Sequence, residues 1–231
     1  MSLIDSVRVM GAMARVTAPI LFDMARGDLA RATVDEKAQW FGRRVIDLLD
    51  IRLTTQGAGR VPTDRAYIYI SNHQSHLDIP ILYATLPSPT IRMLGKKELF
   101  DIPLWGRGLR AAEFVEVDRS NHVAAMKSIE YAGRLVKDGV SIYLAPEGTR
   151  SRDGSIGKLK KGGFHLAIGT GAPIVPVAIR GTIDVLPRGH KAMKTGQAVD
   201  VTIGAPIAVE GRDVDGLMRE IREFLVAHVE G

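Results

Sequence analysis

Cysteine is absent from the 231 residues, which excludes disulfides and cysteine-ligated zinc. A reducing cytoplasm fits that absence. Aromatic residues make up only 6% of the chain, and the basic residues are scattered, so the stacking platforms that hold single-stranded nucleic acid are missing. Nucleic acid is therefore not an expected partner. A membrane span needs about 20 predominantly apolar residues. The longest uncharged stretch, Gly162 to Ile179, has four glycines and two prolines and reads instead as a short helix, a turn and a strand. At the N-terminus, Arg8 and Arg15 break what would be the apolar core of a cleavable signal. Internal repeats and low-complexity segments are missing too.

What the chain does have is length enough for one large domain, or one domain with a helical appendage. Its 31 Lys+Arg against 26 Asp+Glu give a formal charge of +5, a modest excess that suits phospholipid or a phosphorylated substrate. Residues 3 to 22 place Leu3, Val7, Met10, Ala14, Ala18 and Leu21 roughly one per helical turn, with Arg8 and Arg15 among them. A second helical pattern over 35 to 49 uses Ala38, Phe41, Val45 and Leu48. Residues 1–50 thus read as an N-terminal helical pair. Its apolar face either packs on the core or rests on an anionic bilayer.

Residues 51–231 read differently. IRLTTQG, AYIYI, TIRMLG, FVEVD, SIYLA, IVPVAIRG and AVDVTIG are strand-like. Helical patterns lie between them, from Asp78, over 121 to 138, in FHLAIGTGA, and over 213 to 229. Alternation of this kind predicts an α/β domain with a central mixed, largely parallel sheet flanked by helices.

Two polar clusters carry the chemistry. SNHQSHLDIP follows the apolar run AYIYI and sets His73 five positions before Asp78. An aspartate bonded to one imidazole nitrogen leaves the other free as a base. On a continuous helix two such side chains diverge, since each residue turns about 100°, so the pair requires a strand-to-helix loop. The structural alternative makes Asp78 a helix N-cap ahead of Pro80, with His73 serving loop backbone. Ser75 lacks a G-x-S-x-G elbow. A metal held by His73, His76, Asp78 and Glu147 is the minority reading, because no dense ligand motif accompanies them. The second cluster, YLAPEGTRSRDG, ends a strand with Glu147, Gly148, Thr149 and Arg150. Gly148 permits close backbone approach and Arg150 suits bidentate phosphate recognition. Arg152, Lys158, Lys160 and Lys161 follow.

Together NHQSHLD and PEGTR resemble the boxes of the glycerolipid acyltransferase family. Asn72, His73 and Asp78 match its N-H-x-x-x-x-D pattern, and Glu147 to Arg150 its E-G-T-R pattern. GKKELFDIPLWG resembles the family's lysine-bearing segment, and APIVPVAIRGT its Val-Pro-Val block. One block departs: where the family usually reads G-x-x-F-I-D-R, this chain has EFVEVDR, with Glu113 and Glu116 in place of glycine and phenylalanine. The resemblance implies acyl transfer from acyl-CoA or acyl carrier protein to the free sn-2 hydroxyl of lysophosphatidate, giving phosphatidate. It implies His73 as general base oriented by Asp78, and Arg119, Arg150 and Lys96 as holders of the acceptor's phosphate. Glu147, Gly148 and Thr149 complete the binding loop. No cofactor and no metal are expected. The membrane is the expected partner surface, with the protein peripheral on its cytoplasmic face. Glycerol-3-phosphate or a lyso-aminolipid is the alternative acceptor, and a non-catalytic lipid-binding module the alternative class.

Overall fold

The computed structural model describes residues 3–118 and 121–231. Two long helices come first, α1 (Leu3–Arg26) and α2 (Arg31–Leu48). There follow β1 (Arg52–Gln56), β2 (Ile68–Ser71), α3 (Asp78–Thr85), β3 (Ile91–Lys96), α4 (Lys97–Phe100), α5 (Trp105–Ala111) and β4 (Val115–Val117). The chain continues through α6 (His122–Lys137), β5 (Ser141–Leu144), α7 (Gly162–Thr170), β6 (Ile174–Arg180), α8 (Thr182–Val185), β7 (Ala198–Ile203) and α9 (Val214–Val229). The strands form one seven-stranded sheet in the order β1-β7-β6-β2-β5-β3-β4. Among the described residues β6–β7 is the one antiparallel strand pair, and the other pairs are parallel. The predicted mixed, largely parallel α/β architecture is therefore what forms.

Side-chain alternation explains the two cores. Tyr67 and Tyr69 join Val175, Val177 and Ile179 on one face of the sheet, where Val45 and Leu49 of the N-terminal pair and Ile81 and Leu82 of α3 cover them. Ile68, Ile70, Ile142, Leu144 and Ile174 occupy the other face, under α6, α7 and α9. In α9 the covering residues are Leu217, Ile221 and Leu225, one turn apart and fully buried.

Both N-terminal helices run further than their periodicity predicts. The first ends at Gly27, whose φ of 75° stops the helix in the left-handed region. The second starts at Arg31 rather than 35, and a tertiary contact holds that first turn: the Arg31 guanidinium bonds both oxygens of Glu113 at 2.7 and 2.8 Å. Glu113 itself has a φ of 64°, which accounts for glycine being usual there in the family the chain resembles. Beneath it, Arg92 is fully buried and bonds Asp35 of α2 at 2.5 Å, with Glu113 3.8 Å away. The anionic groups of α2 and of the turn before β4 thus neutralise a cation inside the sheet layer.

The apolar stripe read in residues 3 to 21 points outward up to Ala18, while Leu21 is half-buried against Gly108. Leu3, Val7 and Met10 are 68%, 67% and 69% exposed, and Ile4 and Phe22 lie open beside them. A different face, Val9, Ala12 and Val16, is buried. Among the described residues no helix is long and apolar enough to cross a membrane.

Candidate active site

Ligand sites in open α/β sheets lie beyond the carboxyl ends of the strands. Here β5, β2 and β6 are adjacent and parallel, so the loops that leave them meet at one edge. The loop after β2 carries His73, the loop after β5 carries Glu147 to Arg150, and α8 opens directly after β6.

The His73 loop has few ways to move. Asn72 is 1% exposed and pairs with one residue of β6 through both its amide atoms: Nδ2 donates to the Ile179 carbonyl and Oδ1 accepts from the Ile179 N–H, each at 2.8 Å. The side chain thereby continues the β2–β6 ladder one step past the strand. Ser75 is buried and its hydroxyl donates to the Leu186 carbonyl at 2.8 Å, which leaves no nucleophile there. Glu147 accepts from the His73 N–H with one oxygen and from the Gly157 N–H with the other, both at 2.9 Å. The Ser151 N–H donates to the His73 carbonyl at 2.7 Å.

Asp78 sits at the centre and is fully buried. It is not the N-cap of α3; Leu77 holds that position and offers no side-chain cap. Its Oδ2 accepts from the Gln74 N–H at 2.8 Å, the Ser75 N–H at 3.0 Å and His73 Nδ1 at 2.7 Å. Its Oδ1 accepts from the Thr182 hydroxyl at 2.5 Å. A carboxylate surrounded by donors fixes the imidazole as well: Nδ1 carries the proton and Nε2 keeps its lone pair. Among the described residues nothing occupies Nε2, and the His73 side chain is 21% exposed. The pair is placed to accept a proton from a group arriving from solvent.

The residues expected to hold a phosphate divide. Gly148 takes a φ of 72° as the tight turn requires, and Thr149 and Arg150 line an open cleft of about 820 Å³ beside the His73 loop. Burial, then the charge of Arg188, holds the Arg150 guanidinium below its ordinary pKa. Glu147 lines the same cleft, but both its oxygens serve backbone N–H groups, and burial pushes its pKa up against those bonds. Lys96 ends β3, exposed, and contributes to the field at His76. His76 is exposed as a residue, yet crowding around its ring, then Arg150, lowers its pKa. Arg119 lies outside the described residues. No group of three potential metal ligands occurs among the described residues.

Two residues of this edge are given no role by the sequence, although Thr182 closes the APIVPVAIRGT block. Thr182 is the fourth donor to Asp78, and Arg188 donates to the Arg150 carbonyl at 3.0 Å. The position of Thr182 at the carboxyl end of a central strand is the feature that could have marked it.

A family model described as Acyltransferase matches residues 52–180, more than half of the chain. The chain belongs to the Acyltransferase family. Among curated proteins, it is 35% identical over 168 residues to a chloroplastic 1-acyl-sn-glycerol-3-phosphate acyltransferase of Brassica napus, covering 72% of this chain and 48% of that one. It is 31% identical over 183 residues to the human alpha form, covering 78% and 64%. The chain spans about half to two thirds of the length of these curated relatives. The crystal structure of the 1-acyl-sn-glycerophosphate acyltransferase PlsC from Thermotoga maritima superposes with a TM-score of 0.84 at 28% identity, covering 99% of this chain and 94% of that one. The acyltransferase fold, including its two N-terminal helices, is thus common to both.

Proposed function

We propose that this chain transfers a fatty acyl group from a thioester to the free hydroxyl of a lysophosphatidate-type acceptor, giving phosphatidate. The observation that carries the reading is the His73–Asp78 pair on a loop whose backbone is bonded to Glu147 and Ser151, the segment that also carries Arg150 into the cleft.

The chemistry follows from that geometry. The acceptor hydroxyl oxygen attacks the acyl carbonyl carbon while Nε2 of His73 takes its proton. The tetrahedral intermediate collapses with cleavage of the C–S bond, and the imidazolium returns the proton to the departing sulfur. Asp78 stabilises the imidazolium and holds the ring's orientation; it touches no reacting atom. General-base help of this kind is worth about 10²–10⁴ in rate. Arg150 holds the phosphate, with Lys96 and Arg119 as the family resemblance implies, and Glu147 orders the Arg150 loop against His73. Positioning can supply ~7–11 kcal/mol of the barrier. The family resemblance, and relatives named for this activity, support the acceptor assignment.

Acceptor and product are amphiphiles, so a chain of this kind must meet a bilayer. The outward Leu3, Ile4, Val7 and Met10 stripe of α1 is the surface suited to it, lying in the interface with Arg8 and Arg15 toward anionic headgroups. On this reading the protein is peripheral, on the cytoplasmic face.

The test is transfer of labelled acyl groups to lysophosphatidate by the purified chain and by His73→Ala. The expected outcome is product with the native chain and a loss of at least about 100-fold in the variant, with an unchanged circular-dichroism spectrum. Retained turnover in His73→Ala would refute the mechanism, and product from glycerol-3-phosphate or a lyso-aminolipid alone would refute the acceptor.

A further inference from the structure

The cleft beside His73 is larger in volume and in charge than one acceptor headgroup requires. Its volume of about 820 Å³ falls in the range of whole-cofactor sites. Arg150, Arg152, Lys158, Lys160, Lys161 and Arg188 all line it. Lys161 is paired with Asp215 at 2.7 Å, whereas the other five meet no carboxylate among the described residues. Asp153 also stands at the rim and offsets one of these charges, its Oδ1 held by Ser151 and Ser155. A phosphate monoester carries about −1.5 to −2 charge, which Arg150 with the exposed Lys96 balances. Arg152, Lys158, Lys160 and Arg188 are then left over against the two carboxylates of the lining, Glu147 and Asp153, a net positive excess around one concavity. Their mutual repulsion is unfavourable until an anion enters.

The wall that presents them is fixed in place. Leu159 and Ile156 are buried, so Lys158 and Lys160 flank an anchored residue and stand out toward the cleft. The Ile156 N–H donates to Glu230, the Gly157 N–H to Glu147 and the Lys160 N–H to the Pro146 carbonyl. Arg222 donates to the carbonyls of Ile156 and Gly157 from α9. Cations on a pre-ordered wall lose little freedom on binding. The same wall joins the His73 loop through the bonds of Ser151 and Glu147 to the His73 backbone, so the cleft adjoins the loop that carries the imidazole.

We infer that Arg152, Lys158, Lys160 and Arg188 form the seat of the acyl donor, and that the group they take is the multiply phosphorylated adenosine head of a coenzyme A thioester. The flexible arm between that head and the sulfur lets the thioester reach His73 while the phosphates stay on the cations. A compact group with several phosphates matches a concave site, whereas an acidic carrier protein would need an exposed convex or flat surface. The inference rests on the acyl-transfer reading but names a different ligand and a different set of residues.

The experiment uses adenosine 3′,5′-bisphosphate as probe, titrated calorimetrically into the full chain and into Lys158→Glu/Lys160→Glu and Arg188→Glu, with thermal melts to verify folding. The expected results are binding by the native chain, at least a tenfold loss of affinity in either variant, and a similar rise in the KM for acyl-CoA, with the KM for lysophosphatidate within twofold in the Lys158→Glu/Lys160→Glu variant. No binding of the bisphosphate, or equal binding by folded variants, overturns the assignment. So does a native chain that turns over the acyl thioester of acyl carrier protein but not acyl-CoA. Variants that keep the bisphosphate but lose phosphatidylglycerol vesicles would assign the cations to a lipid surface and equally overturn it. If the bisphosphate binds as expected yet no acyl group reaches lysophosphatidate, the donor site stands and the acceptor reading fails.

Discussion

Thr182→Val removes one hydroxyl from the fully buried surroundings of Asp78 at nearly constant volume. The carboxylate then keeps its donors from His73, Gln74 and Ser75 but loses the 2.5 Å bond to Oδ1. Both residues are fully buried, so no bulk water replaces the lost donor. A hydrogen bond to a charged group contributes roughly 1.5–3 kcal/mol. Thermal or urea unfolding should show a destabilisation of that order. The part felt by His73 appears in the rate, and if all of it is expressed in the transition state, kcat falls roughly 10- to 150-fold. The acceptor's KM should hold, because Thr182 does not line the cleft that holds Arg150. Thr182→Ser restores the hydroxyl and should recover most of the loss. The decisive measurement is a double-mutant cycle: in an Asp78→Asn background, Thr182→Val should change kcat by less than about twofold, because the charge it supports is already gone. The same large drop in both backgrounds, or a kcat unaffected in the native one, would refute the argument that Thr182 acts through Asp78.

Further outcomes follow from the N-terminal pair. Val7→Asp with Met10→Asp replaces two exposed apolar residues of α1, each worth ~1.5–3 kcal/mol when buried. Cosedimentation with anionic vesicles should fall at least about 100-fold, with acyl transfer to a micellar acceptor largely retained; unchanged vesicle binding would remove α1 as the contact. Glu113→Gln breaks the bidentate bond with Arg31, a partly exposed pair worth at most ~1 kcal/mol. The sign with pH is fixed by Arg31, whose hydrogen bond lowers the Glu113 pKa. Native Glu113 contributes above the unfolded carboxylate pKa of about 4.3 and loses that contribution as pH falls through the lower folded value. The stability gap between native chain and variant should therefore be full near pH 7 and close in acid; a gap that widens in acid would be the wrong sign.

The sheet and most helices could be read locally because each strand is an apolar run bounded by turn residues. Tyr67 to Ile70 alternate between two buried faces, and Leu217, Ile221 and Leu225 repeat once per turn. The His73–Asp78 contact was legible too, since only a loop could close a five-residue spacing. What local pattern could not carry were bonds between distant segments. Asn72 meets Ile179 and Asp78 meets Thr182 across more than one hundred residues, contacts that exist only because β6 lies beside β2. The matched family segment, 52–180, even stops two residues short of Thr182. Glu113 was visible as a departure from glycine, but the reason for it, the Arg31 and Arg92 charges, belongs to the packing of α2. The periodicity of α1 gave the apolar stripe and left open which way it turned; the packing of Val9, Ala12 and Val16 decided that.

The clasp of Asn72 on Ile179 also has a temporal meaning. During synthesis, a nascent chain that has emerged only as far as β5 already contains the histidine and its aspartate, yet neither the rung that seats the loop nor the hydroxyl that completes the carboxylate's shell. Competence must therefore arrive late, when the sixth strand inserts, and a C-terminal truncation before residue 182 should yield a protein that is inert however well its first half folds.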